Sequence, residues 1–174
     1  VLLDVAERLR HLPDLVVAIV GDGAQKATLM ASAEARHLRN VRFFPYQPKS
    51  GLLDSFATAD VFMVSLKRGL SGFIVPSKLY GILAAGRAVL NIGDPDGEVA
   101  RLVARERIGR TVAPGDATAL AGVITELAAD PAVAEPVTSD VPALLLSGRL
   151  DAVTAPRNAD TVAAGFPNHT NLVF

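Results

Sequence analysis

The sequence predicts an α/β protein built on a doubly wound, parallel, Rossmann-like sheet. Short apolar runs that suit strands alternate along the chain with segments whose apolar residues recur at helical spacing. This alternation is typical of a parallel sheet with helices on both faces. The apolar character of these runs is more continuous than alternating, which indicates that both faces of the strands are covered.

Seven strands are predicted. In chain order they are LVVAIV (15–20), VRFF (41–44), VFMV (61–64), AVLNI (88–92), GRTVA (109–113), ALLLSG (143–148) and TNLVF (170–174). Helices are predicted at residues 1–11, 24–38, 50–58, 76–86, 97–106, 116–129 and 156–164. The helix over 116–129 is clearly defined, because Asp116 is placed to cap it and its apolar residues form one stripe.

The pattern changes after residue 130. Residues 131–142 contain three prolines and no helical stripe, so they are interpreted as a linker. The chain is therefore expected to consist of one α/β unit over 1–130, the linker, and a short β-α-β tail over 143–174.

Composition excludes several function classes. The 17 basic residues nearly balance 18 acidic ones, so no electrostatic footprint for nucleic acid or an anionic membrane surface is expected. The chain has no cysteine, which excludes disulfides and thiolate chemistry, and its three histidines match no metal-ligand spacing. No apolar run reaches the roughly 18–20 residues that span a bilayer, and we expect a soluble, cytoplasmic fragment of a longer protein with no bound metal.

Ligands of open parallel sheets bind outside the carboxyl ends of the strands, so the loops after the strands are the candidate sites. In GDGAQ, Gly21 and Gly23 allow a tight turn and a close approach to an anion at the next helix. Lys26 stands where a dinucleotide fingerprint needs its third glycine, and a turn without a ligand is an equal alternative. In PYQPKSG, Tyr46 and Gln47 suit a flat heterocycle by stacking and edge hydrogen bonds, the alternative being a proline-rich surface turn.

The stretch VPSKLYGILAAG (75–86) carries the strongest local signal. Ser77 is placed to satisfy early N–H groups, and Lys78 lies at the positive end of the helix at a cost of about 0.3–1 kcal/mol. Gly81 inside the helix costs roughly another 0.8–1 kcal/mol relative to alanine. A phosphate at the helix start would make Lys78 favourable. The alternative is a solvent-facing lysine and a glycine that permits close helix packing.

A further candidate follows the fourth strand, in GDPDGEVARLV. Gly97 and Glu98 could contact an anion or a hydroxyl, or this could be a capped helix start with Asp96 as the cap. Residues 1–130 contain no serine, histidine and aspartate in an order typical of a catalytic triad. Any catalysis by this unit would therefore act by holding a leaving group.

Residues 1–130 resemble the C-terminal, donor-binding domain of family-4 glycosyltransferases, the retaining enzymes of the GT-B fold. The resemblance lies in the order and spacing of PDLVVAIVGDGAQKATL, NVRFFPYQPKSGLLDSFATADVFMVSL, GLSGFIVPSKLYGILAAGRAVLNIG, GEVARLV and IGRTVAPGDATALAGVITELAAD. It implies half of a GT-B fold that binds a nucleotide-diphospho-sugar, with UDP expected, and no tightly bound cofactor. It also implies a transferase that makes cell-surface polysaccharide or O-antigen, whose complete form could lie at the inner face of the membrane.

Eight residues are expected at the donor site: Gly21, Gly23, Tyr46, Gln47, Ser77, Lys78, Gly97 and Glu98. The resemblance implies that Tyr46 and Gln47 lie near the base, that Ser77 and Lys78 open the donor-site helix, and that Glu98 is a sugar-side carboxylate.

The sequence departs from that family in two ways. Many members carry a ribose-binding glutamate at the position of Gly81. The first strand of the family's domain and the N-terminal acceptor domain are missing from this chain. Because a GT-B enzyme works between two domains, we expect the fragment to be inactive alone.

Residues 135–174 resemble the C-terminal segment of tripeptidyl-aminopeptidase-like α/β-hydrolases. Asp151, in SGRLDAVT, matches the acid of a catalytic triad, which would orient a histidine. No later histidine matches that role and no G-x-S-x-G elbow occurs, so Asp151 has no catalytic partner in the sequence. Two alternatives to a glycosyltransferase are an α/β-hydrolase fragment and a folded domain without enzymatic activity.

Overall fold

The computed structural model describes residues 1–48, 55–56, 58–67, 69–70, 76–133, 143–147 and 169–173. The helices are α1 (Leu2–Arg8), α2 (Lys26–Ala35), α3 (Lys78–Ala84), α4 (Glu98–Arg105) and α5 (Ala117–Ala129), followed by a 3₁₀ turn at Pro131–Val133. The strands are β1 (Val17–Val20), β2 (Val41–Phe44), β3 (Val61–Ser65), β4 (Ala88–Ile92), β5 (Gly109–Val112), β6 (Ala143–Ser147) and β7 (His169–Val173).

Every strand pair in the described chain is parallel. β1 pairs with β2 in a register that places Val17 opposite Val41 and Val20 opposite Phe44. β4 lies between β3 and β5 in a second sheet, and β6 pairs with β7 in a third. These parallel strands, with helices between them, confirm the predicted α/β class.

In the described chain, β1 with β2 and β3 with β4 and β5 form separate hydrogen-bonded sheets. Helix α1 packs against both of these sheets.

Most predicted elements are confirmed with shorter ends. The helix predicted at 76–86 is α3, and Gly86 follows its C-cap with φ of +63°, a conformation that ends a helix at little cost to glycine. Asp116 caps α5 as predicted, because its carboxylate accepts a hydrogen bond of 2.8 Å from the Ala119 N–H. Of the helix predicted at 50–58, only residues 55–56 and 58 are described, and 55–56 are helical. The helix predicted at 156–164 and linker residues 134–142 lie outside the described residues.

Helix α1 contributes to two of the three hydrophobic clusters. Leu3 and Ala6 pack with residues of α2 and β2, including Ala33 and Val41. On another face, Val5 and Leu9, the C-cap residue of α1, pack against β4, β5 and α5. Val5 and Ala6 have no exposed surface at all. This seven-residue helix therefore connects the cores of two sheets.

The third cluster lies between β3, β4 and the helices α3 and α4. Its buried members are Val64, Leu79, Ile82, Val89, Val99 and Val103. Because Leu79 and Ile82 anchor α3 by its buried face, the first turn of α3 is held at a defined place beside the sheet.

Polar contacts reinforce the junction of α1 with α2. The Arg36 guanidinium pairs with Asp4, with Nη1 to Oδ1 at 2.9 Å, and with the Glu7 carboxylate. The hydrogen bond from Arg36 lowers the pKa of Glu7. The pair therefore favours the folded state above the usual range of a glutamate pKa, and this contribution is lost as the pH falls through the lowered value.

We expect Leu9→Ala to lower the free energy of unfolding by about 2–5 kcal/mol, because it leaves a cavity where α1 meets the β3-β4-β5 sheet. Urea unfolding followed by circular dichroism measures this loss. The matched control is Met30→Ala on α2, where the side chain is 46% exposed, and its effect should stay within about 0.5 kcal/mol. Equal losses in the two variants would contradict the role given to α1.

Candidate functional site

The loops after β1 and β2 are joined by the carboxylate of Asp22. Because β1 and β2 are parallel neighbours, their carboxyl ends meet at one edge of the sheet. Asp22 Oδ2 accepts a hydrogen bond of 3.0 Å from the backbone N–H of Tyr46. Asp22 Oδ1 accepts one of 2.6 Å from Lys26 Nζ. One side chain thus fixes the distance between the two loops predicted to bind ligand.

Two further hydrogen bonds join the segment after β1 to the end of β2. Lys26 Nζ also donates to the carbonyl oxygen of Phe44 at 3.1 Å, and the Gly21 N–H donates to the same oxygen at 3.2 Å. Gly21 has φ of +126°, which disfavours any residue with a Cβ and explains a glycine at this turn. The chain can therefore turn sharply out of β1 and still meet the end of β2.

Lys26 and Asp22 form an ion pair. The hydrogen bond from Lys26, followed by the one from the Tyr46 N–H, lowers the pKa of Asp22. Lys26 is only 22% exposed and already has two acceptors, so it is not a free cation for a ligand. Neither residue was predicted at the site, although their i, i+4 spacing across a helix start is a usable signal for an ion pair.

Tyr46 and Gln47 differ in how accessible they are. Tyr46 is 64% exposed, so its ring offers an open face for stacking. The Gln47 side-chain amide donates to the carbonyl oxygen of Pro45 at 3.1 Å and is half-buried. The loop therefore presents an exposed aromatic ring beside an amide that its own backbone orients.

Ser77 and Lys78 are both exposed at the start of α3. The prediction that Ser77 satisfies early N–H groups is wrong, since its side chain makes no capping hydrogen bond. Its backbone is already helical, with φ of −58° and ψ of −28°, whereas a capping side chain usually needs an extended backbone. The Leu79 N–H bonds to the Pro76 carbonyl oxygen instead, at 2.9 Å. Within the described part of the chain, Lys78 forms no ion pair.

Gly81 is explained by packing. A Cβ at this position would lie 2.7 Å from Phe56 Cε2, closer than real contacts allow. The Phe56 ring in turn packs edge-on against Phe62 of β3, with centroids 5.1 Å apart. The structure favours the close-packing alternative for Gly81, and a larger side chain there would have to displace the Phe56 ring.

Gly97 and Glu98 begin α4. Gly97 is the buried N-cap with an extended backbone, and its N–H donates to the Asp94 carbonyl oxygen at 3.0 Å. Asp96 does not cap the helix, because it lies one residue too early. Its carbonyl oxygen instead accepts two hydrogen bonds from Arg101, at 3.0 and 2.7 Å. Glu98 is exposed in the first turn of α4, where a carboxylate is favoured by the helix dipole.

The structure thus brings the predicted residues together only in part. The loops that hold Gly21, Gly23, Tyr46 and Gln47 are directly joined through Asp22. No hydrogen bond or ion pair among the described residues links that pair of loops to Ser77, Lys78 or Glu98. Asp151 lies outside the described residues. A group of three or more side chains able to hold a metal is not found in the described ranges.

An open groove lies elsewhere, between α4 and β5. It has a volume of about 410 Å³ and is lined by residues of both elements, with Arg107 and Arg110 on its sides. None of the eight predicted site residues lines it.

The parallel strands and the intervening helices define a Rossmann-like α/β domain. Residues 1–139 match the family described as glycosyl transferases group 1. The chain belongs to this family, which confirms the resemblance found for residues 1–130.

Two curated relatives match parts of the chain. A protein of Escherichia coli (strain K12) named as a colanic acid biosynthesis glycosyl transferase, WcaI, is 44% identical over 84 residues, which are 48% of this chain and 20% of that protein. A protein of Pseudomonas aeruginosa named as a glycosyltransferase, WbjE, is 32% identical over 110 residues, 63% of this chain and 28% of that protein. The matches thus span about a fifth to just over a quarter of these relatives' lengths.

The comparisons do not support the hydrolase resemblance of residues 135–174, since the family match extends to residue 139 and the relatives are glycosyltransferases. In addition, none of the described helices is long and apolar enough to cross a membrane.

We expect Gly81→Ala to lower the free energy of unfolding by about 1 kcal/mol, because overlap with Phe56 outweighs the higher helix propensity of alanine. In a Phe56→Leu background, which removes the ring atoms near Gly81, the same substitution should become stabilising. Urea unfolding of the two single variants and the double variant gives the coupling energy. An identical effect of Gly81→Ala in both backgrounds would contradict the packing explanation.

Proposed function

We propose that this chain is the donor-binding part of a glycosyltransferase that moves a sugar from UDP to a precursor of cell-surface polysaccharide or O-antigen. The observation that carries the proposal is the Tyr46 loop, which Asp22 holds against the glycine turn after β1 in a chain that belongs to a glycosyltransferase family. Members of this family use nucleotide-sugar donors, so a site for a base and a diphosphate is needed.

The base is assigned to the loop after β2. The exposed ring of Tyr46 can stack on a pyrimidine, and Gln47 is close enough in sequence to contact the edge of the same base. The turn at Gly21 and Gly23 lets the donor approach the backbone, since nothing lies within 4 Å of where a Cβ would be at either glycine.

The diphosphate is assigned to Lys78, with Ser77 beside it. Lys78 is exposed and forms no ion pair in the described chain, so its charge is available to an anion. A cation at this position would stabilise the negative charge that develops on the leaving diphosphate during transfer. Glu98, also exposed and preceded by the buried Gly97, is assigned to the hydroxyl groups of the sugar.

The polysaccharide assignment rests on the name of the Escherichia coli relative, which is 44% identical where it aligns. An acceptor-binding domain outside this chain would complete the cleft, so we expect this chain to bind donor without turning it over. The reaction would take place in the cytoplasm, where nucleotide sugars are supplied, with the complete enzyme at the inner membrane face.

We expect Lys78→Ala to weaken UDP binding about 13- to 160-fold, the loss expected for one hydrogen bond from a charged group. Isothermal titration calorimetry of the full chain with UDP measures the change. The matched control is Arg39→Ala, which removes an exposed positive charge just before the amino end of β2 and should leave the affinity within about twofold.

Two results would contradict these assignments. Equal UDP affinity in Lys78→Ala and the parent chain would remove Lys78 from the site. A parent chain that binds neither UDP nor UDP-sugar would overturn the donor-binding function itself.

A further inference from the structure

We propose that Asp22 is a positioning residue for the base of the donor, acting through the Tyr46 loop, here residues 45–48. The inference rests on the proposed function, because it explains how a nucleoside diphosphate would be recognised at its base end. Asp22 itself touches no ligand in this account. It sets where the Tyr46 ring lies relative to the glycine turn after β1.

The two oxygens of one carboxylate hold both ends of this arrangement. Oδ2 accepts from the Tyr46 backbone N–H at 3.0 Å, across 24 residues of sequence. Oδ1 accepts from Lys26 Nζ at 2.6 Å, four residues along the chain. Loss of the Asp22 carboxylate would therefore release the Tyr46 N–H and leave Lys26 with the Phe44 carbonyl oxygen as its remaining acceptor.

Lys26 makes the arrangement stiffer. Its ammonium group donates to Asp22 and also to the carbonyl oxygen of Phe44, the last residue of β2. The ammonium group thus bridges the Asp22 carboxylate and the Phe44 carbonyl oxygen at the point where the chain leaves β2. With the Lys26 side chain only 22% exposed, its ammonium group has little freedom to leave this position.

These contacts should affect the position of the Tyr46 loop more than the free energy of unfolding. The Asp22 side chain is 60% exposed, and ion pairs at such positions contribute little to global stability. The effect of removing the carboxylate should therefore fall on the loop it holds. A stacking ring that samples many orientations pays more conformational entropy when a base binds.

The chemistry separates Asp22 from the diphosphate contacts. Tyr46 would contact the base, so the affinity for a ligand without a base should not change when Asp22 is replaced. UDP and inorganic pyrophosphate therefore form a matched pair of probes, since both carry a diphosphate and only one carries a heterocycle. A purely structural defect would weaken both ligands in parallel.

The test compares Asp22→Asn, Asp22→Ala and the parent full chain. Asparagine keeps the size but has one acceptor oxygen, so it can satisfy either Tyr46 or Lys26 and not both.

We expect UDP affinity to fall about 5-fold in Asp22→Asn and about 30-fold in Asp22→Ala, in the range of one to two hydrogen bonds. Pyrophosphate affinity should change less than about twofold, and the melting temperature by only about 1–2 °C. Asp14→Asn, an exposed aspartate before the amino end of β1, is the control.

A second readout needs no ligand. The chain has two tyrosines and no tryptophan, so in a Tyr80→Phe background the intrinsic emission comes from Tyr46 alone. Asp22→Ala should lower the steady-state anisotropy of that emission in the free protein, while Asp14→Asn should leave it unchanged.

The outcomes separate this proposal from the proposed function. UDP binding by the parent with equal affinity in Asp22→Ala overturns the role of Asp22 and leaves the donor-binding function intact. A parallel loss of UDP and pyrophosphate, or unchanged anisotropy, also overturns it. A parent chain that does not bind UDP overturns the donor-binding function, and the role of Asp22 toward a base falls with it.

Discussion

Burial of two faces of α1 is the constraint on which the rest of the described structure depends. The strands form separate sheets, and α1 supplies Leu3 and Ala6 to the core of one and Val5 and Leu9 to that of the other. The Arg36 pairs with Asp4 and Glu7 add contacts between α1 and α2. The loops that form the candidate site are carried by these sheets, so their relative position follows from how α1 is packed.

The local elements could be predicted from the sequence because their signals are local. Short apolar runs marked β1 through β5, and Asp116 marked a helix start that the structure confirms. The cap predicted at Ser77 was wrong, and the alternative of a cap at Asp96 is not found, since capping depends on backbone torsions and on a one-residue register that residue type does not reveal. Gly81 could be assigned to packing only once Phe56, 25 positions earlier, was seen beside it.

The edge of the sheet at which the candidate site lies could be predicted from the sequence better than the contacts between its loops. Parallel strands place their carboxyl-end loops at one edge, so Gly21, Gly23, Tyr46 and Gln47 were expected near one another. The contact that joins the loops spans 24 residues, from Asp22 to the backbone of Tyr46, and leaves no pattern in the sequence. The separate placement of Lys78 and Glu98, at the starts of α3 and α4, means that a ligand would have to bridge them to the loops.

Binding of a nucleoside diphosphate by the carboxyl-end loops is the proposal on which the other site assignments depend. The most direct measurement is a titration of the ¹⁵N-labelled full chain with UDP, followed through the backbone amide signals. We expect the largest shifts on Gly21 to Gly23, on Tyr46 and Gln47, and on Ser77 and Lys78. Signals that do not move, or shifts confined to the groove at Arg107 and Arg110, would contradict it.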